Sequence, residues 1–144
     1  MKRDYPERPI IAVAAVIVEN DRFVLVKRGT APHKGEWTIP GGMLECGESL
    51  REAVIREARE ETSLTVEPVT LVEVFERIIR NPTGQIQFHY VIMDYLCRVQ
   101  DGSLRAGKDA ADARWLTEAE LKGLQVTEGT VPVLKKALLA SQNA

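Results

Sequence analysis

Ser49 stands three residues before Glu52 at the head of a run of apolar residues at helical spacing, a pairing that fixes where a helix must start. At about 100° per residue, Leu50, Ala53, Val54 and Ala58 make one apolar stripe, so Ser49 to Thr62 has to lie with that stripe against a core. Glu57 and Glu61 fall on the same stripe, within roughly 35° of its centre, where core residues belong. Glu60 stands beside them, three residues after Glu57, near a helix C-terminus whose dipole disfavours negative charge. Two readings follow. The three acids form a solvated helix end paired to Arg56 and Arg59, or they hold a hard cation, whose preferred ligands are carboxylate oxygens and which offsets their mutual repulsion. Azimuth alone does not choose.

The rest of the chain supplies a sheet for this helix. Ile10 to Val18 and Phe23 to Lys27 are rich in branched residues and read as an antiparallel pair around Glu19-Asn20-Asp21-Arg22. Gly29 to Pro40 is a polar loop leading through Gly41-Gly42 to the apolar pair Met43-Leu44, and it is a site candidate. After the helix, Val69 to Ile79 and Gln85 to Val99 read as long strands joined at Asn81-Pro82-Thr83-Gly84, with a short strand at Ala113 to Leu116. Thr117 with Glu120 repeats the capping pattern for a short helix, and Val131 to Leu139 reads as a closing one. Strands, helix, strands, helices in that order predict an α/β (α+β) chain, a mixed sheet with helices on its faces. At 144 residues this is one domain, placed at 8–140, with the first several residues and the tail from Ser141 dispensable.

Charge narrows the partners. The 19 basic and 21 acidic residues leave a net charge of -2, without the positive field of a duplex nucleic-acid or anionic-membrane binder, so a small molecule is the expected partner. The longest apolar run, Ile10 to Val18, is far short of the ~20 residues of a spanning helix, and the first residues lack an apolar leader core. Cys46 and Cys97 are isolated, which fits a reducing, cytoplasmic setting. Neither His33 nor His89 has a partner at ligand or triad spacing, so neither is assigned a role, and Trp37 is expected to pack the loop.

The pattern Gly42-x5-Glu48-x7-Arg56-Glu57-Ala58-x-Glu60-Glu61-x-Ser63-Leu64 resembles the signature box of the Nudix (MutT-like) hydrolases over its whole span of 23 positions. The preceding Trp37-Thr38-Ile39-Pro40-Gly41-Gly42 and the strand order extend that resemblance to most of Arg8 to Leu139. One departure is clear: Ser63 stands where the family pattern has glycine, a left-handed helix end that serine fills less comfortably without touching a ligand. The resemblance implies a Nudix-type α/β/α sandwich and a magnesium (or manganese) enzyme that cuts a phosphoanhydride bond. It makes Glu57 and Glu61 the principal metal ligands, Glu60 a further ligand or the base that activates water, and the Gly42 carbonyl a completing ligand. Arg56 and Glu48 form the ion pair that orients the ligand carboxylates, or a purely structural bridge. The family often places another acid before its last strand, which points to Asp109 as a mobile base or ligand. Arg28, at the end of the second strand, is the expected cation for a diphosphate beside Gly41 and Gly42, or else a solvated side chain; alternation turns Lys27 to the other face.

The box does not choose the substrate. A nucleotide sugar such as ADP-ribose leads, a nucleoside triphosphate pyrophosphatase comes second, and a non-catalytic nucleotide-binding module last, because every acid of the box is present. Some ADP-ribose pyrophosphatases of the family carry a proline about fifteen residues past the box, and Pro82 lies eighteen past Leu64, a loose match. The resemblance leaves room for a homodimer.

Overall fold

The computed structural model describes residues 2–107 and 109–143. Strand β1 (Ile10–Glu19) explains the architecture, because its residues are apolar without alternation yet it is a strand. Val13, Ala15 and Ile17 point to one face and Ala14 and Val16 to the other, and both faces are buried. A strand covered on both sides reads as a continuous apolar run. Residues Ile10 to Ile17 pair in parallel with β6 (Ile86–Asp101), Ala12 to Ala14 pair antiparallel with β4 (Gly41–Met43), and Val18 and Glu19 turn into β2 (Arg22–Arg28). The sheet continues as β3 (Trp37–Thr38), β2, β1, β6, β5 (Thr65–Arg80), with β7 (Ala110–Leu116) paired to β2.

Helix α1 (Leu50–Thr62) covers one face. Its capping box is made, with Glu52 N–H donating to Ser49 Oγ at 3.1 Å and Ser49 N–H to Glu52 Oε1 at 3.0 Å. Ala53, Val54 and Ala58 pack against Val13, Ala15 and Ile17. Helix α2 (Thr130–Gln142) covers the opposite face through Val133, Leu134 and Ala137, together with Phe23, Leu25 and Trp37. This is the mixed sheet between helices that the order of elements predicts. No helix among the described residues is long and apolar enough to cross a membrane.

Several details differ from the sequence reading, among them that β3 lies within the segment read as a loop and that α2 runs on to Gln142, through Ser141. Strand β5 begins at Thr65, not Val69, because it runs through Pro68 with a register shift between Pro68 and Thr70, tolerable on an edge strand. Strand β7 begins at Ala110. Thr117 with Glu120 heads a 3-10 turn, Ala119–Gly123, in which the Glu120 carboxylate accepts from both the amide and hydroxyl of Thr117. The segment before Arg8 is tied down: Tyr5 N–H donates to the Gln87 carbonyl at 2.7 Å, and Asn81 Nδ2 donates to the Tyr5 hydroxyl.

Candidate active site

A cleft of about 740 Å³ opens beside β4, and Arg28, Gly41, Gly42, Arg56, Glu57, Glu60, Glu61 and Asp109 all line it. Glu48 does not; it acts from behind through Arg56. The fold thus gathers residues from β2, β4, α1 and the start of β7 around one space.

Arg56 ties this wall together. Its Nε donates to Glu48 Oε2 at 2.6 Å and its NH2 to Glu48 Oε1 at 2.9 Å, a bidentate pair, while NH2 also reaches the Met43 carbonyl at 3.0 Å. The loop from Met43 to Glu48 is therefore held on the helix, and this guanidinium keeps the Glu48 carboxyl below its ordinary range. NH1 donates to Glu57 Oε1 at 2.7 Å and, more loosely, to Glu60 Oε2 at 3.4 Å. Arg59 bonds Thr65 Oγ1 instead of any of the acids.

The three glutamates are not equivalent. Glu57 is 9% exposed and Glu61 half-buried, whereas the Glu60 side chain is 58% exposed and leans out toward Arg56. Glu61 Oε2 accepts from Gly41 N–H at 2.9 Å, so α1 is pinned to β4 by a carboxylate. Gly42 is needed where it stands: a Cβ there would meet the Glu57 carboxylate at 2.5 Å. Burial pushes the Glu57 carboxyl up despite Arg56. It pushes Glu61 up to about 7, with the Gly41 amide and Arg28 opposing and Glu57 and Asp109 adding repulsion. Two desolvated carboxyls that repel each other form a wall whose charge is poorly compensated by protein alone. In this arrangement no three acidic, histidine or cysteine side chains among the described residues already surround a single point. One oxygen each of Glu57 and Glu61 is engaged by Arg56 and Gly41.

Arg28 is held with its Nε donating to the Pro32 carbonyl at 2.5 Å, which braces the guanidinium at the cleft. The register of β2 against β7 shifts between Lys27 and Arg28, just where the strand reaches the cleft. Asp109 sits in the turn just before β7. Trp37 is 5% exposed in the core, with the Arg114 guanidinium 5.0 Å from its ring centroid. Pro82 lies at the tip of the β5–β6 hairpin and is not among the residues lining the cleft.

Sequence reasoning missed the far side of the cleft, lined by Phe75, Arg77, Tyr90, Ile92, Asp94 and Thr130. Asp94 had a signal: it is the one acid in the apolar run Tyr90-Val91-Ile92-Met93-Asp94-Tyr95-Leu96-Cys97. Missed too was the segment after β6 that caps α1. There Arg105 N–H donates to the Thr62 carbonyl and Gly107 N–H to the Glu61 carbonyl, both at 2.9 Å.

Known proteins share this framework. The chain is 37% identical over 107 residues to the ADP-ribose pyrophosphatase of Methanocaldococcus jannaschii, covering 74% of this chain and 61% of that protein. It is 34% identical over 100 residues to the mouse 8-oxo-dGDP phosphatase NUDT18, covering 69% of this chain and 28% of that protein. The chain thus spans less than two thirds of either relative's length. The crystal structure of a MutT NUDIX hydrolase from Burkholderia pseudomallei superimposes with a TM-score of 0.79 at 30% identity, covering 90% of this chain and 98% of that one. With the NUDIX domain profile matching residues 8–137, the box on α1 and the fold around it show that the chain belongs to the NUDIX domain family.

Proposed function

We propose that this chain is a metal-dependent hydrolase of the phosphoanhydride bond in nucleoside diphosphate derivatives, with ADP-ribose or another nucleotide sugar as its substrate class. The observation that carries this reading is the pair Glu57 and Glu61: two desolvated, mutually repelling carboxyls on the wall of a cleft large enough for a nucleotide. Their oxygen-only chemistry fits magnesium or manganese, with the Gly42 carbonyl and Glu60 as further donors and neither a thiolate nor a paired imidazole beside them to favour zinc. Such an ion, when bound, supplies charge neutralisation for the diphosphate and lowers the pKa of a water.

The chain's own groups do the rest. Arg28, braced by Pro32, presents its guanidinium to diphosphate oxygens beside Gly41 and Gly42. Arg56 and Glu48 hold Glu57 in place and so position it. Glu60, exposed and loosely held, and Asp109, in the turn before β7, are the acids placed to take the proton of the attacking water. ADP-ribose is favoured by the archaeal relative's named activity; the mouse relative's name, an 8-oxo-dGDP phosphatase, keeps a nucleoside di- or triphosphate as the second reading.

A panel of ADP-ribose, other nucleotide sugars, dinucleoside polyphosphates and nucleoside triphosphates, ranked by kcat/KM with magnesium and with excess chelator, tests this. Turnover should need the metal, with ADP-ribose or another nucleotide sugar ranked first. Glu61→Gln should lower kcat by roughly 10²-fold or more while leaving the metal-free protein as stable or slightly more so. Full turnover in chelator, or a Glu61→Gln variant that melts lower yet keeps its kcat, would overturn the assignment.

A further inference from the structure

Across the sheet, Gly41 on β4, Ala14 on β1 and Asp94 on β6 are successive register partners. Partners in a row share a face, and Ala14 lies in the core on the α2 side, so the Asp94 side chain is directed to that side as well. It lines the cleft there, is 3% exposed, and its Oδ2 has no hydrogen-bond partner among the described residues. Neighbouring charged side chains give it no hydrogen bond. Arg77 is spent on the Glu128 carbonyl at 3.0 Å and on the Phe75 ring, 5.3 Å from the centroid, and Glu73 is bonded to Lys136. Burial, with Glu73 adding to it and Arg77 opposing, pushes the Asp94 carboxyl up to about 7.

A buried carboxyl without a partner is costly and rare in a folded protein, and one on the lining of a cleft finds its donor in what the cleft binds. The surroundings are those of a flat ring: Phe75, Ile92 and Tyr90 supply apolar and aromatic walls. Two strand spacings of about 4.8 Å put Asp94 about 10 Å from Gly41, whose amide holds Glu61. That separation is of the order of the reach from a diphosphate, through a ribose, to the edge of a base.

We propose that Asp94 reads the nucleobase: its carboxylate accepts a hydrogen bond from an exocyclic amine, so that the cleft selects amine-bearing bases over the same nucleotide without the amine. The inference rests on the nucleotide-hydrolase reading above but not on which nucleotide is cut. Asp94 is a specificity residue, remote from the reacting phosphorus.

Two substrate pairs that differ by a single exocyclic amine test it: ADP-ribose against its purine-riboside analogue, and dGTP against dITP. For wild type, Asp94→Ala and Asp94→Asn, kcat/KM is measured on both members of each pair, with thermal melts to show that each variant is folded. Wild type should favour the amine-bearing member by at least about tenfold, the worth of one buried hydrogen bond with its partner left unsatisfied when the amine is absent. In Asp94→Ala the ratio should fall to within about twofold of unity, through loss on the amine-bearing member alone, whereas Asp94→Asn, which keeps a carbonyl acceptor, should retain part of it. A wild-type ratio near one, or an equal loss on both members in Asp94→Ala, overturns the proposal. If ADP-ribose is not cut but dGTP is, the nucleotide-sugar reading fails while the amine preference is still read from dGTP and dITP. If neither pair is turned over, calorimetric binding of the same pairs gives the ratio, and absence of binding by all four overturns the proposal.

Discussion

A carboxyl whose folded pKa is raised makes stability depend on pH with a definite sign. Asp94 goes from 3.8 to about 7 on folding, so between those values the native state holds a proton that the unfolded chain has lost. Its contribution is fully present below the lower value and is lost as pH rises through the upper one. Asp94→Asn has no proton to lose. The variant should therefore melt above wild type at pH 8, by a few degrees at about 3 °C per kcal/mol, and the gap should narrow as pH falls to 5. A gap that stays constant from pH 5 to pH 8 contradicts the raised pKa. The azimuth of Glu57 and Glu61 was readable from the sequence because a helix has a fixed angular step. Asp94 was visible only as an acid in an apolar strand, since the residues that make its environment lie on β1, β5 and α2. Ser63 is an intermediate case: the box resemblance asked for a left-handed helix end, and Ser63 adopts it, with φ 65° and ψ 9°.

Elements defined by local signals were legible, and elements defined by distant partners were not. The capping box set the start of α1 to the residue, and the hairpin turns placed the long strands. By contrast β3 and β4 are two and three residues long and exist because β2 and β1 offer them edges. The segment from Gly102 to Gly107 likewise has no periodicity of its own; it takes carbonyls that α1 leaves unpaired. Gly107 lies so close to the helix end that a Cβ would sit 1.7 Å from the Glu60 carbonyl oxygen. Gly107→Ala must therefore move either the loop or the turn that carries Glu60 and Glu61. It should destabilise the protein by about 2 kcal/mol or more, in the upper range for single substitutions, and lower kcat with it. Gly123→Ala, where a Cβ meets nothing within 4 Å, is the control, and denaturant melts of the two variants make the comparison.

At the scale of the molecule, the order of elements was enough to predict a mixed sheet between helices, but not which strand would stand at its centre. That place falls to β1, with a helix-covered core on each face and parallel to a strand eighty residues away, Ile10 against Tyr90. A contact of that sequence separation has to close a long loop before it returns any stabilisation, whereas the β5–β6 hairpin and α1 need only their own neighbours. The first strand of the chain is thus bound to be among the last to find its place. A nascent chain would leave the β6-facing edge of Ile10 to Ile17 unpaired until Cys97 had emerged, and refolding followed by pulsed hydrogen exchange should find the amides of β5 and β6 protected before those of β1.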